Sequence, residues 1–263
     1  MVIYSCMLLW LIIGNIFFVK PLRTEKLVPI SIIIAVRNGE KSLHNLISDL
    51  SAQDYLGDME FILVDDVSED TTKTIICAQS SIDNRFIYES SENGYQNLRY
   101  KKRALDAGIS RAKNEWLLFT DVDCRLRPGW VRTMASYCRE DIDFIVGFSN
   151  TDRGNRLVTH FQHIDLLMLM IAARGTANLG VSWASTGQNQ AFRKSLFHKV
   201  GGYSLISKEL QGDDTLFLQI CRYKATTKVV FADNWNCRVF SRQENKWGSF
   251  LRQRIRWAGD VRF

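Results

Sequence analysis

From residue 30 onward, short apolar runs alternate with longer stretches in which apolar and polar positions recur at helical spacing. Ile30–Val36 is nearly continuous and β-branched, as a strand buried on both faces must be. Residues 60–64, a segment near residues 85–88 and Trp116–Phe119 have the same character. Between them lie helical patterns: residues 42–52, with Leu43, Leu46, Ile47 and Leu50 on one face, a stretch from Thr71, and residues 100–111. This βαβαβαβ alternation predicts an α/β domain with a mostly parallel, doubly wound sheet and helices on both faces. The second half is less regular. A strand is expected over residues 142–148 and a long helix over 156–174, with Leu157, Phe161, Ile164 and Met168 at helical spacing. Residues 187–193 read as a turn entering a strand, residues 200–203 as a helix stop, and Gly212-Asp213-Asp214 as the opening of another helix. The last pattern, residues 246–258, is amphipathic. Trp247, Phe250, Leu251 and Trp257 form a stripe largely opposite Lys246, Arg252 and Arg256, which suits a helix in a membrane interface.

The chain before this domain changes the picture. Residues 1–19 carry no charge and are dominated by Leu, Ile, Met, Phe and Trp, approaching the roughly 20 residues that cross a bilayer. No basic stretch precedes them and no small-residue cleavage site follows, so a signal peptide is disfavoured. Lys20, Arg23 and Lys26 come next, which places the remainder in the cytosol. The expected plan is a transmembrane anchor at 1–20 in the inner membrane, a linker at 21–29, the α/β domain at 30–240 and an amphipathic helix at 241–263. The net charge of +6 suits an acidic partner: a membrane surface, a phosphate-bearing substrate or nucleic acid. Many basic residues lie near the anchor or in the last helix, where anionic lipid accounts for them, so nucleic acid is disfavoured. Six cysteines without a CxxC pair argue against a zinc site or disulfide framework and fit reduced thiols.

Candidate chemistry sits where apolar runs end. The Trp116–Phe119 run breaks into Asp121 and Asp123, separated by Val122. Alternate residues of an extended segment point the same way, and ligands collect at the carboxyl ends of strands in open α/β sheets. Two carboxylates so close repel unless a cation lies between them, and oxygen donors suit Mg2+ or Mn2+ completed by substrate phosphates. A polar turn is the plainer reading of the same residues. The 60–64 run likewise ends in Asp65-Asp66. Neither GxGxxG nor GxxxxGK[ST] follows the first strand, which removes dinucleotide and P-loop sites. Acids at 213 and 214 also suit the dipole at a helix N-terminus, so a simple cap stays open there.

Taken in order, residues 29–38 (PISIIIAVRN), 64–70 (VDDVSED), 101–108 (KKRALDAG), 121–123 (DVD), 212–214 (GDD) and 253–257 (QRIRW) resemble a family 2 glycosyltransferase of the GT-A fold, in its membrane-bound branch. The resemblance covers nearly all of the chain after Pro29. It implies inverting, metal-dependent transfer of a sugar from a nucleotide-diphosphate donor, a UDP-sugar, to a lipid or envelope polysaccharide acceptor. On it, Ala35 and Val36 line the base pocket, Asp66 accepts from the uracil ring, and Lys101 or its neighbour Lys102 meets the diphosphate. Asp121 lies nearer the ribose and Asp123 on the metal. Asp214 is the general base. Gly187, Gln188 and Asn189 contact the acceptor; Gln253, Arg256 and Trp257 match QxxRW, the arginine gripping diphosphate and the tryptophan flooring the acceptor sugar. Asp213 stands where family members commonly carry Glu. Such proteins continue from QxxRW into further transmembrane helices, so the chain is expected to be truncated before them. A sugar-nucleotidyltransferase shares the α/β layout but wants a glycine- and arginine-rich first loop, and residues 35–39 hold one glycine. A non-catalytic nucleotide-sugar-binding membrane protein is the other alternative.

Overall fold

In a computed structural model, which describes residues 2–16, 23–152 and 154–258, a helix at Val2–Ile16 (α1) precedes the first strand, Ile30–Val36 (β1). Then follow Glu40–Ser51 (α2), Met59–Asp65 (β2), Thr72–Ile82 (α3), Phe86–Ser90 (β3), Lys101–Arg111 (α4) and Trp116–Phe119 (β4). The second half holds Cys124–Arg125 (β5), Trp130–Ala135 (α5), Phe144–Gly147 (β6), Ser149–Thr151 (β7), Leu157–Asn178 (α6), Gln190–Arg193 (β8) and Lys194–Val200 (α7). Thr215–Lys224 (α8), Val229–Ala232 (β9), Val239–Ser241 (β10) and Trp247–Ala258 (α9) complete it. The main sheet runs β3-β2-β1-β4-β8-β6-β9, and β8 alone pairs antiparallel with both neighbours. This is the mostly parallel α/β sheet expected, with one reversed strand inserted.

Side-chain alternation divides the core. From β1, Ile30, Ile32, Ile34 and Val36 join α2 and α5 on one face, while Ile33 joins α4, α6, α7 and α8 on the other. Pairing sets Val36 beside Asp65 and Ile33 beside Phe119, so the carboxyl ends of β1, β2 and β4 open onto one edge. Three short strands, β5, β10 and β7, form a second small sheet beside it. The helix stop at 200–203 is an αL turn: Gly201 has φ 84° and caps α7.

The terminal helices differ from expectation. Of the span expected over residues 1–20, residues 1 and 17–20 lie outside the described residues; among the described residues no helix is long and apolar enough to cross a membrane. The described part of α1 is 15 residues long. It is docked on α6. Asn15 Nδ2 donates to the Ile171 carbonyl (3.0 Å), Arg174 Nε to Asn15 Oδ1 (2.8 Å), and Asn178 Nδ2 to the Gly14 carbonyl (2.9 Å). Gly14 and Gly175 meet at the crossing, where a side chain on either would strike the opposite helix. Trp10 packs at a tilt against Trp183, just beyond α6, with ring centroids 5.0 Å apart. We expect Gly175→Leu to release α1, since its Cβ would lie 2.5 Å from Asn15 Nδ2. Overpacking of this kind costs about 1–3 kcal/mol. The measurement is proteolysis of α1 at constant protease concentration, faster in the variant.

The stripe expected on the last helix also divides. Phe250 is 3% exposed and packs edge-on against Phe161 of α6, and Arg254 pairs with Asp165 (2.6 Å). Trp247 and Leu251 stay exposed, joined by Ile255.

Candidate active site

One wall of the site is built where β1 and β2 end. Asp66 N donates to the Val36 carbonyl (2.8 Å), which brings Ala35, Val36 and Asp66 together as expected. Just beyond, Asn38 takes φ 51°, an αL turn that Asn tolerates. Its backbone N–H bonds Ser68 Oγ (2.9 Å), and its side chain receives Glu69 N (2.9 Å). Gly39 N–H reaches Thr72 Oγ1 (2.8 Å). The two strand-end loops are therefore stitched into one wall. The two acids of β2's end divide their work: Asp65 is buried and accepts from Ser68 N (3.1 Å), while Asp66 is only half-buried.

The cluster at the centre joins three distant segments. From the N-terminus of α4, Lys101 Nζ reaches Asp121 Oδ1 at 2.7 Å and Asp213 Oδ2 at 3.0 Å. Desolvation works against this ammonium, but Asp121 and Asp213 more than offset it and hold its pKa well above the ordinary lysine value. Asp214 follows as the N-cap of α8. Its Oδ1 accepts from Thr215 N (2.5 Å) and its Oδ2 from Gly187 N (3.1 Å). Burial, then the Asp213 charge, pushes the Asp214 carboxyl up from 3.8 to about 6. Gly187 lies over the cluster: a Cβ there would stand 3.1 Å from both Asp213 Oδ2 and Lys101 Nζ. A side chain there would crowd the ammonium and its acid partner.

Asp123 opens to solvent at the mouth of this cleft. Its carboxyl is held above the usual range, first by desolvation among the surrounding protein and then by the Asp121 charge. That crowding is what a divalent cation would relieve. Among the described residues no group of three or more His, Cys, Asp or Glu converges for a metal. The arrangement fits a cation that takes its remaining oxygens from substrate phosphate and water, as Mg2+ and Mn2+ commonly do.

Several expected residues lie elsewhere. Lys102 does not share the Lys101 site; it is 1% exposed and donates to the backbone carbonyls of Glu209 (2.6 Å) and Gln211 (2.8 Å). Asn189 does not reach the cleft. It is fully buried, accepts from Trp130 Nε1 (3.1 Å) and donates to the Phe148 and Cys237 carbonyls (2.9 and 2.8 Å), joining the two sheets. Gln188 is half-buried beside Gly187. In α9, Arg256 is exposed, Gln253 Oε1 accepts from Arg254 NH1 (3.3 Å), and Arg254 stacks 4.0 Å over Trp257. Gln253 and Trp257 thus contact Arg254, which pairs with Asp165 of α6. One residue that positions the site escaped notice: Gln190, fully buried, donates to the Asp213 carbonyl (3.1 Å) and accepts from Ser185 Oγ (2.8 Å). A Gln amid an inward-facing strand was the signal, because buried amides must be paired.

Comparison with known proteins agrees with this geometry. The sequence matches the glycosyl transferase family 2 profile over residues 31–210, which ends before Asp213-Asp214 and before 253–257. It is 26% identical over 132 residues to a GalNAc(5)-diNAcBac-PP-undecaprenol beta-1,3-glucosyltransferase of Campylobacter jejuni, covering 50% of this chain and 41% of that one. It is 28% identical over 118 residues to the putative glycosyltransferase EpsH of Bacillus subtilis, covering 44% and 32%. The chain thus spans less than half the length of the curated relatives it matches. Among solved structures it resembles the mannosyltransferase PcManGT of Pyrobaculum calidifontis, in complex with GDP-Man and Mn2+ (TM-score 0.71, 15% identity, 97% of this chain and 69% of that one). It also resembles glucosyl-3-phosphoglycerate synthase of Mycobacterium tuberculosis, in complex with Mn2+, UDP and glucosyl-3-phosphoglycerate (0.56, 18%, 88% and 78%). The fold is GT-A, and the match over more than half its length makes this chain a member of glycosyl transferase family 2.

Proposed function

We propose that the protein transfers a sugar from a UDP-sugar to a lipid-linked or envelope polysaccharide acceptor, with inversion at the anomeric carbon and Asp214 as general base. The observation that carries this reading is the Lys101 bridge, 2.7 Å to Asp121 and 3.0 Å to Asp213, which holds a donor-side acid and the base's neighbour around one ammonium. Inverting transfer is a single in-line displacement, so one carboxylate must take the acceptor proton as the bond to the leaving group breaks. A carboxyl raised to about 6 suits that task near neutral pH. Asp214 would receive the acceptor hydroxyl proton at a carboxylate oxygen kept in place by Thr215 N and Gly187 N.

Ala35, Val36 and Asp66 would seat the base of the nucleotide, with Asp66 accepting from the uracil. Asp121 and Asp123 would hold Mg2+ or Mn2+, which supplies charge neutralisation at the departing diphosphate. Lys101 would move from Asp121 toward that diphosphate, leaving Asp213 as its anchor. Mn2+ in the two structural relatives and the undecaprenol-linked acceptor in the name of one sequence relative support the cofactor and the acceptor class. Association with the cytosolic face of the inner membrane, through the exposed apolar residues of α1, α6 and α9 flanked by Lys246, Arg252 and Arg256, fits that acceptor.

The test is UDP release from a panel of UDP-sugars by the full chain with Mn2+ or Mg2+ and a polyprenyl-diphosphate lipid extract. We expect release from one UDP-sugar, dependent on the extract and accompanied by a hexose mass added to a lipid. Tight UDP binding without turnover would instead favour the non-catalytic binding protein.

A further inference from the structure

Neighbours in sequence, Lys101 and Lys102 leave the N-terminus of α4 in different directions. Lys101 enters the cleft; Lys102 is driven into the protein, where it is 1% exposed. An ammonium so buried must be compensated, and here its Nζ donates to the carbonyls of Glu209 at 2.6 Å and Gln211 at 2.8 Å. Both carbonyls belong to the loop that leads directly into Asp213 and Asp214. The middle of the loop is open, with Lys208, Glu209 and Leu210 all exposed, and its ends are held by Glu209 N to the Ile206 carbonyl (3.2 Å) and by Gln190 at the Asp213 carbonyl (3.1 Å). At its far end Gly212 adopts φ 104°, and a Cβ there would meet Leu216 Cδ1 at 2.7 Å. The backbone thus enters α8 through a conformation that glycine permits and that the inward-turned carbonyls help define.

We propose that Lys102 is a positioning residue for the transfer step, a latch that fixes the 207–212 loop and so sets the Asp214 carboxylate against the acceptor. The proposal rests on Asp214 being the base. It gives α4 two tasks from adjacent residues: Lys101 holds the acids of the cleft, and Lys102 holds the backbone that presents the base. Two of the loop's own carbonyls receive the ammonium, so the latch depends on the Lys102 charge and on the path of the loop backbone.

The test compares Lys102→Met, which keeps the aliphatic stem, with Lys102→Arg, Gly212→Ala and Asp214→Asn in the full chain. Turnover is read as UDP release from UDP-glucose with Mn2+ and the polyprenyl-diphosphate extract, donor binding by calorimetry with UDP and Mn2+, and the loop by the rate of trypsin cleavage after Lys208. Misplacing a reacting group by about 1 Å costs about a hundredfold. We therefore expect Lys102→Met to lose about a hundredfold in kcat with the donor KM and UDP affinity unchanged, and to be cut faster after Lys208. Lys102→Arg should recover part of the loss. Gly212→Ala, which strains the same loop without touching Lys102, should repeat the kcat loss and serves if Lys102→Met does not fold. Wild-type kcat or wild-type cleavage in Lys102→Met, alongside an inactive Asp214→Asn, overturns the latch alone. Wild-type turnover in Asp214→Asn overturns the base, and the latch with it.

Discussion

Asp214→Asn is expected to lower kcat about a thousandfold while leaving UDP binding close to wild type. Asparagine keeps one oxygen that can accept from Thr215 N, so the N-cap of α8 survives, while the bond that Oδ2 accepts from Gly187 N is lost along with the proton acceptor. A thousandfold corresponds to about 4 kcal/mol in the barrier, within the range that a positioned base supplies. The pH profile gives a second reading of the same group. A base works when deprotonated, and the Asp214 carboxyl is raised from 3.8 to about 6, first by burial and then by the Asp213 charge. Activity should therefore climb as pH rises through about 6 and level off above it. The linked stability runs the other way. The folded state binds this proton more tightly than the unfolded chain, so its stabilising effect is complete below 3.8 and is lost as pH rises through about 6. An Asp214→Asn chain with the same acid limb in its activity would remove the carboxylate from the proton transfer.

Chelation of divalent metal, or Asp123→Ala, is expected to lower UDP release roughly a hundredfold or more, the rate worth of several kcal/mol of charge stabilisation at a leaving diphosphate. The two perturbations should not add, because both remove the same cation from the same pair of aspartates. Calorimetry separates this role from folding. UDP should bind the wild type tightly only when Mn2+ is present, and should bind Asp123→Ala weakly with or without it. Removing Asp123 also removes a carboxylate that desolvation, and then the Asp121 charge, disfavours, so the apo variant should be no less stable than wild type. Full activity in excess chelator would assign Asp121 and Asp123 to the protein rather than to a metal.

The elements that were legible in the linear chain are those with a strong local signal. β1 and β4 are buried on both faces and read as continuous apolar runs, and their observed bounds, Ile30–Val36 and Trp116–Phe119, coincide with those runs. Asp121, Asp123, Asp213 and Asp214 stood out because carboxylates after a strand or at a helix start are local features. α5 and the strands β5, β7 and β10 escaped because elements of two to six residues hold too little periodicity to register. The reversal of β8 escaped for another reason: an apolar strand carries no mark of its direction until its neighbours are known.

Three outcomes belonged to the tertiary structure. A charge-free N-terminal stretch shows only its composition in the chain; its docking on α6 rests on Asn15–Arg174 and Gly14–Asn178 bonds between residues about 160 positions apart. Two adjacent lysines are equivalent as letters, but successive helical residues point about 100° apart, so one meets carboxylates in the cleft and the other meets buried carbonyls. Asn189 reads as an acceptor ligand beside Gly187, yet the path of the chain through β8 turns it inward to join two sheets. Residue type and local periodicity are properties of the chain and settled which chemistry was present. Which groups face one another depends on contacts between segments far apart in sequence, and only the packed fold brings Lys101, Asp121, Gly187 and Asp213-Asp214 to one place.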